Sequence, residues 1–231
     1  MILCLDAGNT RLKWGLFQDG WRETGALPLA ELGALRLPQA ERVVLSNVAG
    51  DEVGRQLERA LAGLPLIRAA SRAEQCGVTN GYERPEQLGA DRWAALIGAR
   101  FLHPGPTLVV MAGTATTVDV LDGAGVFRGG LILPGLDLMR RSLARNTAQL
   151  DLLPGEFRDY PANTADAIFS GCLSAQAGAV ERMFRRIAAE PEALCLLSGG
   201  AASPLLPLLP IPVRSVENLV LEGLARIGQA A

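Results

Sequence analysis

The sequence predicts an α/β protein assembled from two related halves, and three observations predict it. Met1 to Phe17 reads as a buried strand ending in Asp6, a tight turn through Gly8, Asn9 and Thr10, and a second strand resuming at Leu12. The same pattern returns about 105 residues later, as a strand from Thr107 to Met111, a turn from Ala112 to Thr117 and a strand from Val118 to Leu121. Around both, β-branched strands alternate with amphipathic helices. A supersecondary pattern repeated at half of a 231-residue chain implies two domains, 1–104 and 105–231, with Pro104 to Pro106 as the break. The two turns would then face one nucleotide from opposite sides.

The remaining elements follow in order. Trp21 to Thr24 adds a short strand, Leu29 to Leu35 a weak helix, and Arg42 to Ser46 a β-branched strand. Asp51 to Ala62 places Val53, Leu57, Ala60 and Leu61 on one helical face, and Leu64 to Ala69 reads as a strand. Cys76 to Ala90, with three glycines and Pro85, is irregular and delivers Asp91 to the start of a helix running to Arg100. A strand from Val126 to Leu133, a helix from Leu136 to Leu150 and a loop at Leu152 to Gly155 come next. Asn163 to Asp166 opens a long helix reaching about Ala189. Leu194 to Leu197 is a buried strand ending in Ser198-Gly199-Gly200, Pro204 to Pro212 reads as a surface connection, and Glu217 to Ile227 closes the chain as an amphipathic helix.

Composition narrows the chemistry. An apolar fraction of 49% with 20% charge is that of a globular protein, and a net charge of −2 offers no basic field for nucleic acid. No apolar run reaches the roughly 18 residues a membrane helix needs, and no export signal opens the chain, so a cytoplasmic location is expected. The four cysteines are dispersed and read as reduced thiols. The single histidine, His103, lies in a Leu-His-Pro-Gly-Pro loop, which excludes His-rich zinc sites and leaves acid–base work to carboxylates.

Several residues suit phosphate chemistry. Turn amides with the Thr10 hydroxyl can cradle phosphate oxygens, Asp6 can hold Mg²⁺ directly or through water, and Lys13, the only lysine in the chain, adds a point charge. The same stretch also reads as an ordinary β-hairpin. Asp91 suits a base at a helix start, and equally a favourable N-terminal charge. Ser198-Gly199-Gly200 suits close approach to a flat base, and equally a plain strand-to-helix turn. No G-x-x-x-x-G-K-[ST], G-x-G-x-x-G after a strand, G-x-S-x-G or protein-kinase signature is present.

Asp6-Ala7-Gly8-Asn9-Thr10-Arg11-Leu12-Lys13, Gly77-Val78 with Tyr82, and Gly89-Ala90-Asp91-Arg92 resemble the type III pantothenate kinases. So do Gly113-Thr114-Ala115-Thr116-Thr117, Pro134-Gly135, Asn163-Thr164 and Ser198-Gly199-Gly200, in the same order across nearly the whole chain. The resemblance implies an actin-like, ribonuclease H-like duplication with the nucleotide site in the cleft between the halves. It implies ATP-dependent phosphorylation of the 4′-hydroxyl of pantothenate, the first step towards coenzyme A. Under it, Asp6, Ala7, Gly8, Asn9, Thr10, Arg11, Leu12 and Lys13 form the first phosphate element, with Asp6 placing Mg²⁺. Thr114 belongs to the second phosphate element, and the adenosine region lies in the second half. Asp91 is the proton acceptor, and Tyr82, Gly89, Ala90, Asp91, Arg92 and Thr164 line the pantothenate site of a homodimer whose pocket is near the subunit interface.

One position departs from that family. Where many members carry an acid holding potassium or ammonium, this chain has Met111, so no monovalent cation is expected there, unless Asp119 across the hairpin compensates. Two other readings remain: a regulatory nucleotide-binding protein with little catalysis, and a kinase of the same fold acting on another small alcohol.

Overall fold

Leu3, Cys4 and Leu5 are all fully buried, so Ile2–Ala7 (β1) forms a strand covered on both faces. The computed structural model describes residues 1–146 and 153–231. β1 turns back into Arg11–Phe17 (β2), and the antiparallel register sets Asp6 opposite Lys13 and Ala7 opposite Leu12. The third strand is real and longer than expected, Trp21–Pro28 (β3), followed by a 3-10 turn, Leu29–Ala34, in place of the weak helix. Arg42–Asn47 (β4) runs parallel to β1, helix α1 covers Asp51–Ala60, and Leu66–Arg68 (β5) runs parallel to β4. The sheet order is β3-β2-β1-β4-β5.

The stretch read as irregular contains a small hairpin, Glu74–Gln75 (β6) and Val78–Asn80 (β7). Cys76 and Gly77 form its two-residue turn with φ of 50° and 77°, the positive values that such mirror-image turns require. Ala90–Leu102 is helix α2.

Thr107–Ala112 (β8) and Ala115–Leu121 (β9) form the second hairpin, with a turn narrower than the expected six residues. Val126–Pro134 (β10) follows, and its first residues pair in parallel with β7. Leu136–Asn146 is helix α3; the expected continuation to Leu150, and Leu152, lie outside the described residues. Helix α4 covers Thr164–Phe184, ending a turn before the expected Ala189, and Leu194–Ser198 is β11. The expected surface connection is a correction: Ala202–Leu205 (α5) and a 3-10 turn at Leu206–Leu208 pack inward, with Leu205 and Leu209 buried in the core. Pro204 and Pro207 lie within these short helical turns, and the leucines are the anchors. Val213–Ser215 (β12) and Leu219–Gln229 (α6) complete the chain.

Two compact units result. Unit 1 comprises residues 1–104, 123–128 and 218–231, and unit 2 comprises 105–122 and 129–217. In unit 1, α6 packs along α2, where a side chain at Gly223 would strike the Ala94 backbone and one at Gly98 the Leu219 carbonyl. In unit 2, the order β12-β11-β8-β9-β10 repeats the pattern of unit 1, with an antiparallel hairpin flanked by a parallel strand. Among the described residues no helix is long and apolar enough to cross a membrane.

Candidate active site

In unit 1, β1 carries Asp6 to the mouth of the first hairpin. The turn is closed by the Gly8 N–H donating to the Arg11 carbonyl at 3.1 Å. Asn9, Thr10 and Arg11 are exposed around it, whereas the Ala7 and Leu12 side chains are fully buried, so these two offer only backbone to a ligand. Asp6 Oδ1 is buried and has no hydrogen-bond partner among the described residues. Burial and the neighbouring Asp91 carboxylate push the Asp6 carboxyl up to about 7, while Lys13 and the Ser46 hydroxyl pull it down. The first hairpin and the start of α2 thus meet electrostatically at Asp6.

Asp91 sits in the first turn of α2, and its Oδ1 accepts the Arg92 backbone N–H at 2.8 Å. Gly89 caps that helix, and a Cβ added there would fall 2.7 Å from Asp91 Oδ1. Ala90 opens the helix. Arg92, next along it, is buried and donates from Nη1 to the Tyr82 hydroxyl at 3.1 Å. Asp91 and Arg92 are consecutive, so the helix aims a carboxylate and a guanidinium from one turn.

An orphaned carboxylate oxygen, its pKa raised by burial and then by a second carboxylate, is a fit for a divalent cation such as Mg²⁺. Among the described residues no three His, Cys, Asp or Glu side chains cluster as a metal site. A cation at Asp6 would therefore take most of its ligands from phosphate and water, as Mg²⁺ commonly does.

In unit 2, the Gly113 N–H donates to the Ala115 carbonyl at 3.0 Å and the Gly135 N–H to the Thr114 carbonyl at 2.9 Å, which closes the second turn. A side chain at Gly135 would strike the Gly113 and Thr114 carbonyls. Thr114 itself is exposed. The buried Thr116 hydroxyl lies 3.1 Å from the Gln176 side-chain oxygen of α4. Gly199, at φ 108°, lies against the Ala112 carbonyl beyond the end of β11. Asn163 caps α4, accepting the Asp166 N–H at 2.9 Å, and leaves Thr164 exposed at the first helical position.

A family model described as type III pantothenate kinase matches residues 2–186. The chain is 57% identical to the type III pantothenate kinase of Aromatoleum aromaticum, covering 99% of this chain and 98% of that one. The chain belongs to the type III pantothenate kinase family. Its identity to the type III pantothenate kinase of an Azoarcus species is 54%, over 100% of this chain and 91% of that one. A solved Campylobacter jejuni protein, named for the Baf family of transcriptional activators, shares the fold at a TM-score of 0.67 and 20% identity, covering 99% and 98% of the two chains. So does the activator of 2-hydroxyisocaproyl-CoA dehydratase from Clostridium difficile, solved with ADPNP, at 0.56 and 12%, covering 99% and 95%.

Sequence reasoning missed two residues beside Tyr82. Asn80 Oδ1 accepts the Tyr82 N–H at 3.0 Å, and the Phe127 ring lies 5.1 Å from that of Tyr82. The β-strand period around Asn80 was hidden by the glycines flanking it, and nothing local marks Phe127.

Proposed function

We infer that the protein transfers the γ-phosphoryl group of ATP to the 4′-hydroxyl of pantothenate, giving 4′-phosphopantothenate in the first step of coenzyme A biosynthesis. The observation that carries this reading is the match to so-named kinases over the full length of the chain, with Asp91 bearing electrostatically on the buried Asp6 of unit 1. Asp91 takes the proton of the substrate hydroxyl; with Oδ1 held by the Arg92 N–H, Oδ2 is the oxygen assigned to receive it. Arg92 pairs with the pantothenate carboxylate, beside Tyr82. Lys13 and the amides of the first turn bind phosphate, Asp6 holds the metal, and Thr114 supplies a hydroxyl from the second turn. When bound, Mg²⁺ neutralises charge on the transferring group.

At the end of β8, Met111 supplies no carboxylate, so the second hairpin works without potassium or ammonium. A homodimer is supported by the apolar side chains that unit 2 leaves in water, with Ile132 65% and Tyr160 95% exposed. Thr164 then serves the pantothenate site, near the subunit interface, and the reaction is cytoplasmic. The regulatory alternative is not favoured, since Asp6, Lys13 and Asp91 are all in place.

ADP release from protein supplied with ATP, Mg²⁺ and pantothenate, with and without potassium or ammonium, tests the reading. Turnover that requires pantothenate and no added monovalent cation is expected. A folded protein that binds ATP without turnover would return the regulatory reading. Turnover with another small alcohol in preference to pantothenate would change the substrate.

A further inference from the structure

Arg92 is only 5% exposed, and its guanidinium has two aromatic neighbours. The Arg92 Cζ lies 5.8 Å from the Tyr82 ring centroid and 5.8 Å from that of Phe127. The two rings are 5.1 Å apart and tilted by 45°, so cation and rings form a nearly equilateral triangle. Phe127 is 0% exposed and stands opposite Asn80 in the parallel pairing of β10 with β7. A side chain at Gly81 would strike the Phe127 carbonyl, so the chain before Tyr82 lies directly on this strand. Asn80 fixes the same segment by donating to the Ser71 hydroxyl at 2.8 Å and the Pro85 carbonyl at 3.3 Å.

We propose that Phe127 is a positioning residue for substrate recognition, its ring holding the Arg92 guanidinium and the Tyr82 ring in the orientation that receives the substrate carboxylate. The inference rests on the pantothenate kinase reading. Phe127 is fully enclosed and does not touch substrate; it acts through Arg92. An arginine whose rotamer is fixed beforehand loses less side-chain entropy when it binds a carboxylate. A cation held over ring faces gains a modest attraction that an aliphatic side chain does not supply. The carboxylate is remote from the reacting hydroxyl, so the interaction is equal in ground and transition states and belongs to KM.

The test compares wild-type protein with Phe127→Leu on two acceptors, pantothenate and pantothenol, in which a CH₂OH group replaces the carboxylate. The expected result is a pantothenate KM raised roughly 5–20-fold, with kcat and the KM for ATP within about two-fold. The kcat/KM for pantothenol stays within about two-fold, because it offers Arg92 no charge. Equal losses on both acceptors would show a merely structural ring, and no change on either would show that Arg92 holds its place unaided; both overturn the proposal. Phe127→Met, whose flexible thioether chain can settle into the space the ring leaves, gives the same comparison if the leucine variant does not fold. Absence of turnover in the wild-type protein would instead remove the kinase reading, and this inference with it.

Discussion

The β1–β2 and β8–β9 hairpins are built on one plan and differ in charge. Each stands between a flanking strand and a parallel neighbour, and each turns at a glycine whose N–H donates back across the turn. Two residues before that glycine the first has Asp6, opposite Lys13; the second has Met111, opposite Thr117. The first mouth therefore sets a buried carboxylate, its pKa raised chiefly by burial, across the hairpin from Lys13. The second has no acid at the matching position. The two hairpins share a backbone plan and differ in the charge they carry.

The largest effect should come from Asp91, the carboxylate whose charge bears on Asp6 in unit 1. Asp91→Asn is expected to lower kcat by about 10²–10⁴-fold with a pantothenate KM changed only a few-fold, since it removes a proton acceptor and keeps the shape. Steady-state ADP release checks this, and comparable losses in kcat and binding would count against Asp91 as the base. Next, Asp6→Asn should reduce kcat/KM for Mg·ATP by roughly 10–100-fold while pantothenate KM is unchanged. If ATP binding measured by calorimetry proved insensitive to the substitution, the two hairpins would be alike in not holding metal.

Met111→Asp makes the second mouth resemble the first. A carboxylate placed there without a basic residue opposite should need a cation, so activity in potassium-free buffer is expected to fall about 3–10-fold and to return with added potassium. Rates indifferent to potassium in this variant would mean that the position does not face the nucleotide phosphates.

Much of this contrast was legible in the chain itself. Asp6, Gly8 and Lys13, and their counterparts at Met111 and Gly113, lie in apolar runs whose strand character depends on nearest neighbours. The helix start at Asp91 was equally local. What escaped depends on distant partners. Glu74–Gln75 and Val78–Asn80 are too short to be strands on their own, and their pairing needs β10. Leu205 and Leu209 sit among prolines that read as surface until the unit 2 core covers them. Phe127 belongs to no motif, and only the approach of β10 to β7 brings it to Arg92. Likewise α6 reaches α2 through glycines at 98 and 223 whose pairing no periodicity announces.

The smallest expected effect concerns stability at the first hairpin, and it has a definite sign. Asp6 rises from the ordinary 3.8 to about 7 on folding, chiefly through burial and then Asp91. Between those values the folded chain holds a proton that the unfolded chain has released. The stabilisation is complete below 3.8 and is lost as pH rises through about 7. After local relaxation the swing should be about 1–3 kcal/mol, or a few degrees in Tm for a chain of this size. Asp6→Asn lacks this titration, so in melts without nucleotide its Tm should gain on the wild type between pH 5 and pH 8, other groups cancelling in the difference. Mg·ATP at pH 8 should reverse the gain, because it stabilises the wild-type carboxylate and not the amide. A difference that stays constant with pH would mean that Asp6 titrates as an exposed acid, and the first mouth would then be as unstrained electrostatically as the second.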